Sequence, residues 1–253
     1  MDSQNALATP DDWSTIWSEY TPVVMFNPER PFFRDIHRLL KRHLRTDTAI
    51  RFLEVGCYPG TYLWYFNKYF GYHVEGIEYL EDCARRCAEH MRELKTPATV
   101  RHGDLFSETG QWDVVCSVGL VEHFNDVRAV IDRHLDLVRS GGWLVLIIPN
   151  HAGINGAVLK MIDRKKYDIH NHMAYETMEA AVSESGRAEI IEGGYYGRIG
   201  FWSSGLYEKV KPMGKLLYFL VRAALDVIER AAQYVMPNTK LFAPHCALIA
   251  RKK

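Results

Sequence analysis

The chain has 253 residues, 47% apolar and 25% charged, a balance that suits one enlarged soluble domain and excludes a disordered chain or a coiled-coil rod. Its 31 basic and 31 acidic residues cancel, which argues against a general nucleic-acid binder, since such proteins need a basic excess to meet phosphates. The polar opening MDSQNALATPDDWS, the lack of 18 consecutive apolar residues and five cysteines without a CxxC pair (Cys57, Cys83, Cys87, Cys116, Cys246) predict a cytoplasmic protein with reduced thiols and no transmembrane span.

In chain order, residues 1–47 hold an aromatic-rich segment (Trp13, Trp17, Tyr20, Phe26, Phe32, Phe33) and a basic helix near Arg34–Leu44. This is read as a cap over a pocket or as packing on a sheet. Short β-rich runs then alternate with helical patterns. Strands are predicted at Ala49–Val55, Tyr72–Glu78, Ala98–His102, Trp112–Val118 and Trp143–Ile148. Helices are predicted at Thr61–Phe70, Leu80–Leu94 and Val121–Val138, the last closed by a Ser140–Gly141–Gly142 turn. Continuous apolar strands between helices give a parallel sheet covered on both faces, so residues 48–150 read as a doubly wound α/β core. Residues 151–187 read as an irregular insertion with a helix near Thr177–Ser185, followed by strands at Ala188–Tyr196 and Phe242–Arg251. Between those strands Leu216–Met236 is helical, with Arg222, Asp226, Glu229, Arg230 and Gln233 on one stripe. That helix is expected to pack on the sheet; the other reading is an exposed face for a membrane surface or a partner.

The informative stretch is FLEVGCYPGTYLWYF, residues 52–66. A strand ends at Val55, a glycine-containing turn follows and a helix begins near Gly60. Open α/β sheets bind ligands at such strand ends. A dinucleotide turn needs a second glycine where a pyrophosphate presses, but Tyr58 stands there, and no GxxxxGK[ST] loop exists. A cofactor without phosphates suits the turn, and Glu54 would attract a cationic one. Glu78 ends the second strand, where an acid can accept both ribose hydroxyls. Asp104 in GDLF follows the third strand, where a carboxylate can take an exocyclic amine. The fourth element is SVGLVEHF after the fourth strand.

Together these runs resemble the class I S-adenosylmethionine-dependent methyltransferases, in their small-molecule branch. LEVGCYPG is similar to that family's glycine-rich first motif, GIEY to its ribose motif, GDLF to its adenine motif, SVGLVEHFND to its fourth-strand motif and SGGWLVLIIPN to its fifth. The resemblance implies S-adenosylmethionine as cofactor. It places Glu54, Gly56, Cys57 and Gly60 at the methionine end, Glu78 and Tyr79 at the ribose, Asp104 and Leu105 at the adenine, and Ser117, Val118 and Gly119 near the sulfonium. It also implies a Rossmann-like, seven-stranded sheet with the last strand antiparallel, within a single domain of residues 1–253: a cap at 1–47, a cofactor core at 48–150, and an insertion, late helix and last strands at 151–253.

Methyl transfer to oxygen often needs a general base, and histidine has a suitable unperturbed pKa. His123 and His151 follow the fourth and fifth strands and are the catalytic candidates. His170 and His172, in DIHNHMAY, sit in the insertion. HxH spacing can bind zinc, but no cysteine or further acid clusters beside it in sequence, so no metal is expected. The place of the [DNS]PP[YF] run of amino-methylating nucleic-acid enzymes is taken by SVGLVEHF, and no Pro-Cys dipeptide exists. A small-molecule acceptor is therefore expected in preference to nucleic acid, with peripheral membrane contact and a homodimer left open. The segment after the fifth strand is similar to that of methyltransferases of bacterial surface-sugar and secondary-metabolite pathways. The competing reading is a non-catalytic partner module on the same fold, docking through the late helix.

Overall fold

A computed structural model describes residues 5–18 and 26–253, without the side chains of residues 31, 32 and 202. Tyr20 and the Phe32 side chain therefore lie outside the described residues. Helix α1 (Pro10–Ser18) and α2 (Pro31–His43) precede β1 (Arg51–Val55), α3 (Thr61–Phe70), β2 (His73–Glu78), α4 (Glu81–Glu93), β3 (Ala98–His102) and β4 (Trp112–Val118). A 3-10 turn (Val121–His123), α5 (Val127–Leu137) and β5 (Val138–Pro149) follow, then α6 (Ile154–Ile162), α7 (Arg164–Asp168), α8 (Tyr175–Ser185) and β6 (Ala188–Tyr196). The short α9 (Leu206–Val210), the long α10 (Lys215–Val235) and β7 (His245–Lys252) complete the chain.

All seven strands form one sheet in the order β3-β2-β1-β4-β5-β7-β6. The first five are parallel, and β7 runs antiparallel to both β5 and β6. Strand order reverses between β1 and β4, where Val55 pairs with Ser117; this is the crevice at which doubly wound sheets bind ligands. Alternate residues of the apolar strands serve opposite faces. Phe52, Val114, Cys116, Val145 and Ile147 join a core with α2, α3 and α4 that is dense in aromatic rings. Leu53, Val115, Leu144, Leu146 and Ile148 join a second core with α5 and α8.

Four expectations are corrected. The helix predicted over Val121–Val138 breaks at residues 124–126. Asp126 caps α5 by accepting the Ala129 N–H at 2.9 Å, and residues 123 and 125 instead bond to the amino-terminal segment, with the Asn125 N–H donating to the Asn5 carbonyl and the His123 carbonyl accepting from Leu7. The predicted 140–142 turn is absorbed into β5 at a register irregularity opposite Trp112. Helix α10 does not pack on the sheet: it leaves Leu216, Phe219, Val227 and Tyr234 largely exposed and buries only Ala232 and Gln233. Both faces of the sheet are already occupied, by α2–α4 and by α5 and α8, so the helix can only lie outside them, against α2 and α9. The insertion is also more ordered than expected, since α6 and α7 lie within it. No helix among the described residues is long and apolar enough to cross a membrane. All five cysteines are free and buried.

The second core carries a titratable group whose effect on stability has a definite sign. His134 on α5 is fully buried, its Nδ1–H donates to the Val130 carbonyl at 2.8 Å, and Nε2 has no partner. Burial pushes its pKa down to about 4. Between that value and the unfolded value near 6.5, the unfolded chain binds a proton that the fold cannot. The stability is intact above about pH 6.5 and is lost as pH falls towards 4, at about 1.4 kcal/mol per unit for this group. His134→Leu is expected to flatten the acid limb by on the order of 3 kcal/mol between pH 7 and 4, as measured by urea unfolding at a series of pH values. Parallel limbs in the two proteins would contradict the assignment.

Candidate functional site

The carboxyl ends of β1, β2, β3 and β4 bring the predicted residues to one edge of the sheet. After β1 the chain turns back over β2, with the Gly56 and Cys57 N–H groups both donating to the Ile77 carbonyl, at 2.9 and 3.2 Å. Gly56 and Gly60 have φ of +70° and +95°, backbone that side chains resist. A Cβ on Gly60 would lie 2.4 Å from the Met91 Cε, and one on Gly56 would meet Leu120 of the β4 loop at 3.3 Å. The two glycines therefore let the turn press onto α4 and onto the neighbouring loop. The Tyr58–Pro59 peptide is cis. The Tyr58 ring, at the position that disfavoured a dinucleotide, packs beneath the Arg86 guanidinium at 4.9 Å and edge-on to Trp17 at 5.1 Å.

Glu78 stands beside this turn. Its carboxylate accepts the Tyr58 N–H at 3.2 Å and the Leu80 N–H at 3.3 Å, so it braces the glycine loop against the start of α4. Burial raises its pKa, against the pull of these amides. Tyr79 next to it is half-buried. Glu54 lies on the α3/α4 face with 3% exposure; the Leu63 N–H reaches it, but Oε2 has no partner. Burial and the nearby Cys87 and Glu78 hold its pKa well above the usual carboxylate range. A cation beside this carboxyl would reverse that shift. Asp104 is half-buried and accepts the Phe106 N–H at 3.2 Å, while Leu105 is buried with its carbonyl bonded to Arg133. Ser117 is buried with an unpartnered Oγ, and Val118 and Gly119 are half-buried behind it. The Cys57 thiol faces the core, 3.9 Å from the Cys87 Sγ, while its N–H lies in the turn.

The amino-terminal segment lies over this edge. Leu7 N–H donates to the His123 carbonyl at 2.8 Å, Trp13 packs edge-on to the His123 ring at 4.4 Å, and Trp17 covers Tyr58. Of the two readings of the aromatic start, Trp13 and Trp17 cap the strand ends, whereas Phe26 and Phe33 join the core under α2. A cavity of about 220 Å³ opens between α1 and α4, lined by Trp17, Leu80, Asp82 and Arg86 among others.

The histidines meet in a way that sequence order conceals. His123, His170 and His151 form a row, the outer two buried and His170 half-buried, with ring centroids 4.4 Å and 4.5 Å apart. Asn171 fastens the insertion to the β4 loop, its N–H donating to the Glu122 carbonyl at 2.5 Å and its amide to the Phe124 carbonyl at 3.3 Å. Asn150 fixes the end of β5 by donating to the Lys240 and Ala243 carbonyls, and Gly156 brings α6 against the His151 carbonyl, where no Cβ would fit. Burial holds all three imidazoles neutral, His151 down to about 3 and His170 to about 4, with His123 well below its usual value. His172 takes no part. It is exposed, stacked on Tyr167, and hydrogen-bonded to the Tyr167 carbonyl. Glu122, present in the fourth-strand motif but not singled out by its sequence, adjoins His123. Its carboxyl is 1% exposed, and burial lifts its pKa to about 8.

Comparison with known proteins agrees with this architecture. A 133-residue stretch is 29% identical to the ubiquinone biosynthesis O-methyltransferase of Paraburkholderia xenovorans (strain LB400). That alignment covers 50% of this chain and 53% of the relative, so the chain spans about half the length of the curated relatives it matches. The fold is shared with the geranyl diphosphate C-methyltransferase of Streptomyces coelicolor A3(2), with a TM-score of 0.59 and 16% identity over 97% of this chain and 100% of that one. It is also shared with the phosphoethanolamine N-methyltransferase 2 of Haemonchus contortus, with a TM-score of 0.59 and 18% identity over 85% of this chain and 51% of that one. The profile of one family, described as a methyltransferase domain, matches residues 26–190, well over half of the sequence. The chain belongs to the methyltransferase domain family.

Proposed function

We propose that the chain uses S-adenosylmethionine to methylate a hydroxyl oxygen of a small molecule. The observation that carries this reading is the Glu78 carboxylate, held against the Gly56–Gly60 turn by the Tyr58 and Leu80 amides at the end of β2. Its remaining lone pairs suit the two hydroxyls of a ribose. Glu54, with an oxygen that lacks a partner, suits the cationic end of the same cofactor. Asp104 and Leu105 at the end of β3 suit its base. When bound, S-adenosylmethionine supplies a methyl group on a positively charged sulfur, which keeps the bonding electron pair as oxygen attacks.

The chain's own contribution is alignment, exclusion of water and the fate of one proton. Trp13 and Trp17 close over the strand ends and keep solvent away from the reacting line. Nδ1 of His151 is buried without a partner and neutral, so it can receive the hydroxyl's proton. A phenol, the more acidic hydroxyl, gives up its proton to such a base more readily than a sugar alcohol does. The O-methyltransferase relatives support oxygen as the acceptor atom.

Thermal unfolding with S-adenosylhomocysteine at 100 times its dissociation constant is expected to show a gain of about 2.7 kcal/mol, a rise of roughly 5–10 °C, with none from NAD. Transfer of a radiolabelled methyl group is then expected to phenols and catechols ahead of sugars. A cooperative transition that ignores S-adenosylhomocysteine would overturn the reading in favour of a non-catalytic module.

A further inference from the structure

We propose that Glu122, His123 and His170 form a divalent-metal site of the zinc class at the end of β4. One ligand atom from each residue can be chosen so that all three lie within 4.8 Å of one another, and Oε1 of Glu122 is 3.8 Å from Nε2 of His123. Two nitrogens and a carboxylate oxygen are a donor set that zinc and related divalent ions take, with a further position open to water or substrate.

The hydrogen bonds around the cluster point the same way. His123 and His170 each use Nδ1 on a backbone carbonyl, that of Ile169 at 2.9 Å and that of Lys166 at 2.6 Å. A carbonyl only accepts, so Nδ1 carries the proton on both rings and Nε2 is left with a free lone pair. Metal-binding histidines are oriented in this way, with the second nitrogen donating to an outer partner. Glu122 supplies a second observation: neither carboxylate oxygen has a hydrogen-bond partner on another residue, although the side chain is 1% exposed. A buried carboxyl kept only for packing would be left unsatisfied at a cost to stability, whereas a cation between Glu122 and the two free Nε2 atoms satisfies all three. The ligands come from the fourth-strand loop and from the loop after α7, 47 residues further on, which Asn171 ties together. The metal would also hold the insertion against the core. The unused HxH pair is explained in the same way, because His170 turns inward to Glu122 and His123 while His172 turns outward to Tyr167.

If the chain is a methyltransferase, as proposed above, a metal held by Glu122, His123 and His170 would supply polarisation of the acceptor's O–H bond, and His151, whose ring centroid lies 4.5 Å from that of His170, stands beside it to take the proton.

The test reads metal and cofactor separately. Full-length protein stripped with chelator is titrated with zinc against a chromophoric competitor, and with cobalt to read the donor set from its absorption bands. One equivalent of zinc is expected, together with a cobalt spectrum of nitrogen and oxygen ligands without thiolate charge transfer. Glu122→Gln and His170→Ala are each expected to weaken zinc by more than the roughly 100-fold that losing an outer-shell partner costs, while His172→Ala leaves it unchanged. S-adenosylhomocysteine binding, followed on the same samples, is expected to persist in all three variants and reports folding. Wild-type protein that takes up no stoichiometric zinc, or folded variants that bind it as tightly as wild type, would overturn the site. Should a variant fail to fold, the wild-type cobalt spectrum still decides: thiolate bands or no bands refute it. Loss of S-adenosylhomocysteine binding by the wild type with zinc binding intact would instead remove the methyltransferase reading and leave the metal site standing.

Discussion

Replacing Glu78 by Ala is expected to weaken S-adenosylhomocysteine binding by roughly 10- to 100-fold, the net loss of about one charged hydrogen bond, worth about 1.5–3 kcal/mol. The carboxylate serves two purposes at the end of β2. It accepts the Tyr58 and Leu80 amides, which fixes the glycine turn, and it leaves acceptor capacity for a ribose. Glu78→Gln removes part of both. The Tyr58 and Leu80 amides bond to different carboxylate oxygens, and a neutral amide offers one acceptor oxygen, so one brace of the turn is lost together with the charge, and binding is expected to fall between that of wild type and Glu78→Ala. Calorimetric titration of the three proteins reads the binding order. Equal affinity in all of them would remove Glu78 from the cofactor site.

Phe66→Ala is expected to cost about 3–5 kcal/mol, the range for truncating a fully buried aromatic. Phe66 on α3 has no exposed surface. It stacks on Phe52 of β1 at 4.2 Å, runs nearly parallel to Tyr72 at 5.8 Å and touches Phe70 at 5.2 Å. Those rings are rigid and are held from both α3 and the sheet, so the site cannot collapse to fill the void. At about 2–4 °C per kcal/mol for a chain of this size, the melting midpoint falls by roughly 6–20 °C. The effect bears on function through α3, whose first turn follows Gly60: loosening the helix loosens the glycine turn. Differential scanning calorimetry measures it, and a drop of under 2 °C would show that this aromatic core repacks.

The sequence alone determined whatever depends on neighbours along the chain. Strands Ala98–His102, Trp112–Val118 and Ala188–Tyr196 and helix α3 have the predicted limits, because β-branched runs and helical spacing act over a few residues. The strand ends at Glu54, Glu78, Asp104 and Ser117 were legible for the same reason, since parallel strands carry their loops to one edge. Tertiary structure decided the rest. The Val121–Val138 pattern is helical throughout, yet Asn5 and Leu7, more than 100 residues earlier, claim the backbone at 123–126 and expose Asp126 as a cap. Ile154–Ile162 is short and apolar on most sides, so no stripe marks α6, whose start lies against the backbone of residues 240–241 at Gly153. The apolar residues of α10 gave no sign that both faces of the sheet would already be filled. The meeting of Glu122, His123, His151 and His170 was beyond any periodicity. Glu122 and His123 follow β4, His151 follows β5 and His170 follows α7, and the insertion is closed onto the β4 loop through Asn171.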